Sequence, residues 1–174
     1  MNTSEIRKEN LINLYNEKGE RHGYWESYWS NGQLWYKGNY VNGNEHGYWE
    51  SYYSNGQLHF KGNFVDGKAH GYWENYWDNG QLSYKGNYVN DKRHGSWESY
   101  WNNGQLMFKG NYVNGKQHGY WEVYWDNGQL CYKGYYDMGT KVDYNPDEPK
   151  VIELTLSDIA NKLGIDLDKL RIKE

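Results

Sequence analysis

The sequence has little of several residue types, and each shortage excludes something. It holds one cysteine, Cys131, in 174 residues, which rules out an internal disulfide framework and any zinc site built on cysteine thiolates. Net charge is −4 with no run of Lys and Arg, so nucleic acid is not expected as a partner, because phosphate binding needs clustered basic residues. No stretch approaches the ~20 apolar residues of a membrane-spanning helix. The N-terminal Met1 to Asn10 lacks the apolar core of a signal peptide, and the expectation is a cytoplasmic protein. Only two prolines occur, Pro146 and Pro149. A mean hydropathy of −1.17 would suit disorder, but disordered chains are poor in aromatics. This one carries 10 Trp and 20 Tyr.

What the chain has instead is a repeat. The unit from His22 to Glu45 recurs with histidine at 22, 46, 70, 94 and 118, a constant step of 46 − 22 = 24 residues. A period between about 20 and 50 residues marks an array built from one supersecondary unit. Within the unit, Gly23 to Trp29 and Gln33 to Val41 alternate as strands. Asn31-Gly32 between them is a strong hairpin signal. A two-residue loop there pairs residues whose numbers sum to 63. Trp29 then faces Leu34, Ser27 faces Tyr36 and Trp25 covers Gly38, while on the other side Glu26 faces Lys37 and Tyr28 faces residue 35. Asn42-Gly43 makes the next link, with sums of 85, so that Tyr36 meets Trp49 and Gly38 meets Gly47. In the third link Asn90-Asp91 replaces Asn-Gly.

The expected fold is therefore mainly β, an elongated twisted antiparallel sheet of tandem 24-residue hairpins with about 11 strands and a short C-terminal helical appendage. Residues 1–10 read as a flexible segment, with a helical turn near Ser4 to Lys8, and 11–21 as a capping half-repeat. The five repeats run over 22–139, a linker over 140–150 and the appendage over 151–174. In that appendage Val151 to Leu154 reads as a strand. Thr155 or Ser157 caps a helix near 156–163, and Gly164 stops it. A further turn is expected at Asp166 to Leu170. One sheet face cannot stay uncovered, so either the sheet curls into a trough or a helper covers it: the tail, a second copy or a partner protein.

The repeated histidines invite a metal reading, which spacing opposes. Equivalent residues lie two strands apart, roughly 9–10 Å, too far to share an ion whose ligands each sit ~2 Å away. His-Gly reads better as a strand-start element with a locally bonded imidazole. The glutamate column (Glu26, Glu50, Glu74, Glu98 and Glu122) has a uniform lysine neighbour (Lys37, Lys61, Lys85, Lys109 and Lys133). Nothing separates two carboxylate pKa values as acid and base catalysis requires. No nucleophile motif or phosphate loop is present. No enzyme, cofactor or metal is expected.

The aromatic columns remain. Trp25, Trp29, Leu34, Tyr36, Tyr40 and their equivalents form the stabilising face. The opposite face is expected to carry Tyr24, the column Tyr28, Tyr52, Tyr76, Tyr100 and Tyr124, and the most divergent column, Trp35, His59, Ser83, Met107 and Cys131. A freely varying column beside exposed tyrosines is where partner contacts are expected.

The unit His-Gly-x-Trp-Glu-x-Tyr-Trp-x-Asn-Gly-Gln-Leu-x-Tyr-Lys-Gly-Asn-Tyr-Val-Asn-Gly resembles the MORN repeat, in the variant form found in bacteria and viruses. The resemblance covers roughly residues 13–139. It implies a non-catalytic repeat scaffold for protein–protein contact or docking near membranes, in a bacterial cell or in a host cell if viral. An antitoxin or immunity-like protein that neutralises a cognate toxin is one alternative. A lipid-docking module or an aromatic cage for choline-type ligands is another; lipid is not favoured, because −4 without a basic patch suits anionic membranes poorly. Another protein is the expected partner, with a second copy of the chain as a further candidate. In the tail, Ile159 to Ile165 looks like half a helix-turn-helix, but no basic recognition helix follows it.

Overall fold

Each repeat is punctuated by two turns of different chemistry. A computed structural model describes residues 12–148, 155–164 and 166. At the second link, Asn42 and Gly43 both take positive φ, 49° and 83°, the two-residue turn whose twist matches that of the flanking strands. The same holds at Asp66-Gly67, Asn90-Asp91, Asn114-Gly115 and Met138-Gly139.

The first link differs from expectation. Positive φ falls on Gly32 alone, at 82°. The Gly32 N–H donates to Trp29 O, and the Trp29 N–H to Gln33 O. This is a turn followed by a left-handed glycine, a three-residue loop rather than a two-residue one. The Asn31 side chain favours it by accepting from the Gln33 N–H at 3.1 Å.

The strands are β1 (Leu14–Tyr15), β2 (Arg21–Tyr28), β3 (Leu34–Val41), β4 (Asn44–Tyr52), β5 (Leu58–Val65), β6 (Lys68–Tyr76), β7 (Leu82–Val89), β8 (Lys92–Tyr100), β9 (Leu106–Val113), β10 (Lys116–Tyr124), β11 (Leu130–Asp137) and β12 (Thr140–Val142). They form one open antiparallel sheet in chain order. β12 occupies the start of the segment expected as linker. The helix α1 spans Leu156–Leu163. Thr155 and Asp158 close a reciprocal capping box at its start, and Gly164 ends it in the left-handed conformation. The readings made for 1–10, for Val151 to Leu154 and for most of Asp166 to Leu170 lie outside the described residues.

Register follows the sum of 63 from Gly23↔Tyr40 to Ser27↔Tyr36, then slips so that Tyr28 meets Leu34. Trp29 does not face Leu34, and Tyr28 does not face Trp35. Trp35 is the extra residue of a bulge, the compensation for the longer loop. The β3–β4 pairing keeps the sum of 85 at Val41↔Asn44 and Asn39↔His46, but beyond that Lys37 meets Glu50 and Tyr36 meets Ser51. Gly47, with φ at 75°, and Tyr48 are the inserted pair. The expected contacts of Tyr36 with Trp49 and Gly38 with Gly47 as opposite residues are therefore corrected. A two-residue insertion leaves facing parity intact.

That insertion decides the core. Trp25 does pair with Gly38, but the ring covering Gly38 is Trp49 from the next repeat; a Cβ at Gly38 would lie 2.3 Å from its ring carbons. Trp73, Trp97 and Trp121 cover Gly62, Gly86 and Gly110 alike. Each of these indoles donates to a carbonyl of the preceding repeat, Trp49 to Asn39 at 3.0 Å and Trp97 to Asn87 at 3.0 Å. Trp97 has 0% of its surface exposed in a sheet one layer thick. Its cover comes from Tyr84, Tyr88 and Tyr112, at 5.7, 4.9 and 6.0 Å between ring centroids. The face around Trp97 thus shields itself with its own rings. Burying an indole of ~150–250 Å² contributes roughly 4–6 kcal/mol as an upper bound.

Candidate binding surfaces

The two sides of the sheet are chemically distinct. On one, Glu50 receives Lys37 Nζ at 2.6 Å, the Tyr52 hydroxyl at 2.6 Å and the Tyr48 hydroxyl at 3.1 Å. Burial pushes the Glu50 carboxyl up, but the hydrogen bonds from Lys37, Tyr52 and Tyr48 outweigh it and hold it below its ordinary 4.5. Lys61–Glu74, Lys85–Glu98 and Lys109–Glu122 repeat the ion pair at 2.6, 2.8 and 2.6 Å. Each lysine therefore bridges to the glutamate of the following repeat. The within-repeat pairs expected from Glu26↔Lys37 are neighbours in register, yet the charges close the other way. These pairs staple repeats together and contribute about 0.2–1 kcal/mol each when exposed.

The predicted tyrosine column lies on this side. Tyr28 donates to Glu26 at 2.5 Å, Tyr76 to Glu74 at 2.6 Å, Tyr124 to Glu122 at 2.6 Å and Tyr100 to Glu98. Their hydroxyls are committed within the sheet. Tyr28 is 55% exposed, the others half-buried.

The divergent column does not join them. Trp35 packs on Trp29 and Tyr36, at 5.0 and 5.2 Å, and His59 on Tyr53 and Phe60, at 4.4 and 5.4 Å. Both line one cavity of about 290 Å³ with Tyr36, Trp49 and Phe60, so the column stands on the tryptophan side. The bulge is the reason: an extra residue puts two successive side chains on the same face. Down the column Ser83 is buried, while Met107 and Cys131 are half-buried. The ten candidate residues thus divide between two surfaces.

Sequence reasoning overlooked a second varying column on the tryptophan side: Arg21, Glu45, Ala69, Arg93 and Gln117. The Arg93 guanidinium lies over Tyr84, Trp97 and Tyr112, at 5.7, 4.6 and 5.3 Å, and Arg21 over Trp25 and Tyr40, at 4.8 and 5.2 Å. Aligning the repeats exposes this variation as readily as that of the Trp35 column.

Among the histidines, His118 Nε2 lies 3.2 Å from Asp147 and its Nδ1 3.4 Å from the Met138 N–H, which anchors the segment after β12. His70 Nδ1 is buried without a partner among the described residues. No group of three His, Cys, Asp or Glu among the described residues could hold a metal. No described helix is long and apolar enough to cross a membrane.

Five stretches match a single known repeat family, the MORN repeat variant, at residues 21–42, 45–66, 69–90, 93–114 and 117–138. The chain belongs to the MORN repeat variant family. MORN repeats build scaffolds, generally non-catalytic, that bind membranes or other proteins. No curated protein matches this MORN chain. Among solved structures it is similar to the Glycosylation Associate Protein (Gap123) complex from Streptococcus agalactiae, at 13% identity and a TM-score of 0.32. That match covers 68% of this chain and 21% of the other, so the MORN chain spans about a fifth of its length.

Proposed function

We propose that this chain is a non-catalytic MORN scaffold that engages another protein through the tryptophan side of its sheet, around the Trp35–His59 cavity. The observation that carries this reading is the accessibility of that cavity on a face whose central tryptophans are covered. Trp35 is 42% exposed, whereas the tryptophans beneath the repeats are buried. Exposed aromatics around a concave site are typical of protein interfaces. Charge favours protein over lipid, since −4 with no basic cluster gives little attraction to anionic headgroups.

The test is affinity capture from the native source with the intact chain and with a Trp35→Ser, His59→Ser double variant. A protein retained by the first and lost from the second supports the proposal. Equal capture by both, or co-sedimentation of the intact chain with acidic vesicles in place of any protein capture, overturns it.

A further inference from the structure

The array contains its own example of what its aromatic groove holds. Around Arg93 the rings are Tyr84, Trp97 and Tyr112, with Tyr84 and Trp97 at 5.7 Å and 33°, and Trp97 and Tyr112 at 6.0 Å and 83°. The guanidinium sits over all three and donates to the Tyr112 hydroxyl at 3.1 Å. Two repeats earlier the same positions are Tyr36, Trp49 and Phe64. Their geometry is nearly the same: 5.4 Å and 29° for Tyr36 with Trp49, 5.9 Å and 82° for Trp49 with Phe64.

What differs is the residue at the centre. Where the fourth repeat has Arg93, the second has Glu45, which lines the cavity of about 290 Å³. That volume is at or just below the small end of ligand pockets, ~300–1,000 Å³, and suits a side chain better than a large cofactor. The faces of aromatic rings attract cations through their quadrupole, and a carboxylate adds a full charge of the right sign. Glu45 has no ion-pair partner among the described residues. The equivalent sites at Ala69 and Gln117 also lack a cation, but only this one has an acid at the rim. Arg21, one repeat away, already donates to the Tyr36 and Tyr40 hydroxyls at 3.3 and 2.9 Å. Those hydroxyls are thus committed to Arg21, and an incoming cation is held by the ring faces and Glu45.

We infer that the site formed by Tyr36, Trp49, Phe64 and Glu45 is a cage for an arginine side chain presented by the partner protein. This rests on the scaffold reading above and names the chemistry of its contact. The incoming guanidinium takes the place that Arg93 fills in the fourth repeat, with Glu45 as its counter-ion. Ring spacing selects a flat cation that can lie against an indole, and the carboxylate rejects the neutral isostere.

The probe is the capped peptide acetyl-Gly-Arg-Gly-amide, titrated into the full chain and followed by the indole N–H resonance of Trp49. A single side chain should bind with a dissociation constant on the order of 1 mM. The citrulline analogue should bind at least about tenfold more weakly, and Glu45→Gln should weaken the arginine peptide about 3- to 10-fold. Glu45→Arg is the sharpest variant, because the repeat tolerates arginine at this position in its first and fourth copies. It should keep the native amide spectrum and lose peptide binding, its cage being filled from within. Equal binding of citrulline, unchanged binding by both Glu45 variants, or tighter binding of tetramethylammonium than of the arginine peptide overturns the assignment. The two proposals fail separately. A protein captured equally by the native chain and by Glu45→Arg sinks the cage and leaves the scaffold. Selective peptide binding without any protein capture leaves the cage and sinks the scaffold.

Discussion

Gly86→Ala should be among the most damaging single-methyl additions this chain can receive. A Cβ at Gly86 would stand 2.4 Å from Cδ2 and Cε2 of Trp97 and 2.6 Å from Cγ, where carbon contacts normally lie at about 3.5–4.0 Å. The indole would have to retreat by roughly 1 Å. It has nowhere to go, being fully buried beneath Tyr84, Tyr88 and Tyr112 and tied to Asn87 O at 3.0 Å. Overpacking of this kind costs about 1–3 kcal/mol, and losing the indole hydrogen bond about 1 kcal/mol more, giving about 2–4 kcal/mol. The last repeat supplies the control. Gly134 has no following tryptophan, and its added Cβ meets only Lys141 Cε, at 3.4 Å, the end of a flexible side chain. Gly134→Ala should be neutral within about 0.5 kcal/mol, or stabilising by up to about 1 kcal/mol through the unfolded chain. Urea denaturation followed by tryptophan fluorescence reads both, with the Gly86→Ala midpoint falling by about 1 M or more. Trp97→Ala alone should cost about 3–5 kcal/mol, and adding Gly86→Ala to it should cost less than about 0.5 kcal/mol, since the clash is gone. Equal midpoint shifts for Gly86→Ala and Gly134→Ala, or additive losses in the double variant, would refute the stacking account.

Other consequences follow from the inter-repeat ties. Asn79 accepts from the Gln81 N–H at 3.0 Å and donates to Asn102 O at 2.7 Å, so Asn79→Ala should cost about 1–2 kcal/mol in thermal denaturation. Asn127 accepts from Gln129 at 3.0 Å but has no following repeat to reach, and Asn127→Ala should cost about half as much. The carboxyls of Glu50, Glu74 and Glu98 are held below 4.5 in the folded chain. Their contribution is fully present above that value and is lost as pH falls through the depressed folded one. Urea midpoints should be level above pH ~5 and decline below 4.5, with a shallower decline in Glu98→Gln; an unchanged acid slope in that variant refutes the ladder's role. Asp147→Ala removes the anchor on His118 and should speed amide exchange in residues 143–148 about tenfold with no midpoint change.

Much of this molecule is legible from a one-letter string. The 24-residue period, the Asn42-Gly43 type of turn, the cross-strand meeting of Trp25 with Gly38 and Ser27 with Tyr36, and the capped helix from Leu156 all follow from local chemistry. Each is a short-range rule: turn residues at fixed offsets, alternation with period two, caps three residues apart. The bulges are not short-range. The first adds one residue and carries Trp35 and His59 to the tryptophan side, away from Tyr28 and Tyr52, because alternation says nothing about where a residue is inserted. The glycine after every histidine was the available sign of the second, since a strand glycine often marks a bulge.

The sequence alone therefore determines that repeats stack into an antiparallel sheet and that aromatics hold it together. It does not say which repeat each aromatic serves. Tertiary structure decides that Trp49 covers the Gly38 of the repeat before it, that Lys37 pairs with Glu50 of the repeat after it, and that Arg93 lies among three rings while Glu45 faces an open set. The physical reason is that, apart from Arg93 with Trp97 along one strand, these contacts join residues 9 to 19 positions apart through a register set by two bulges, and a backbone offset of one or two residues changes those partners.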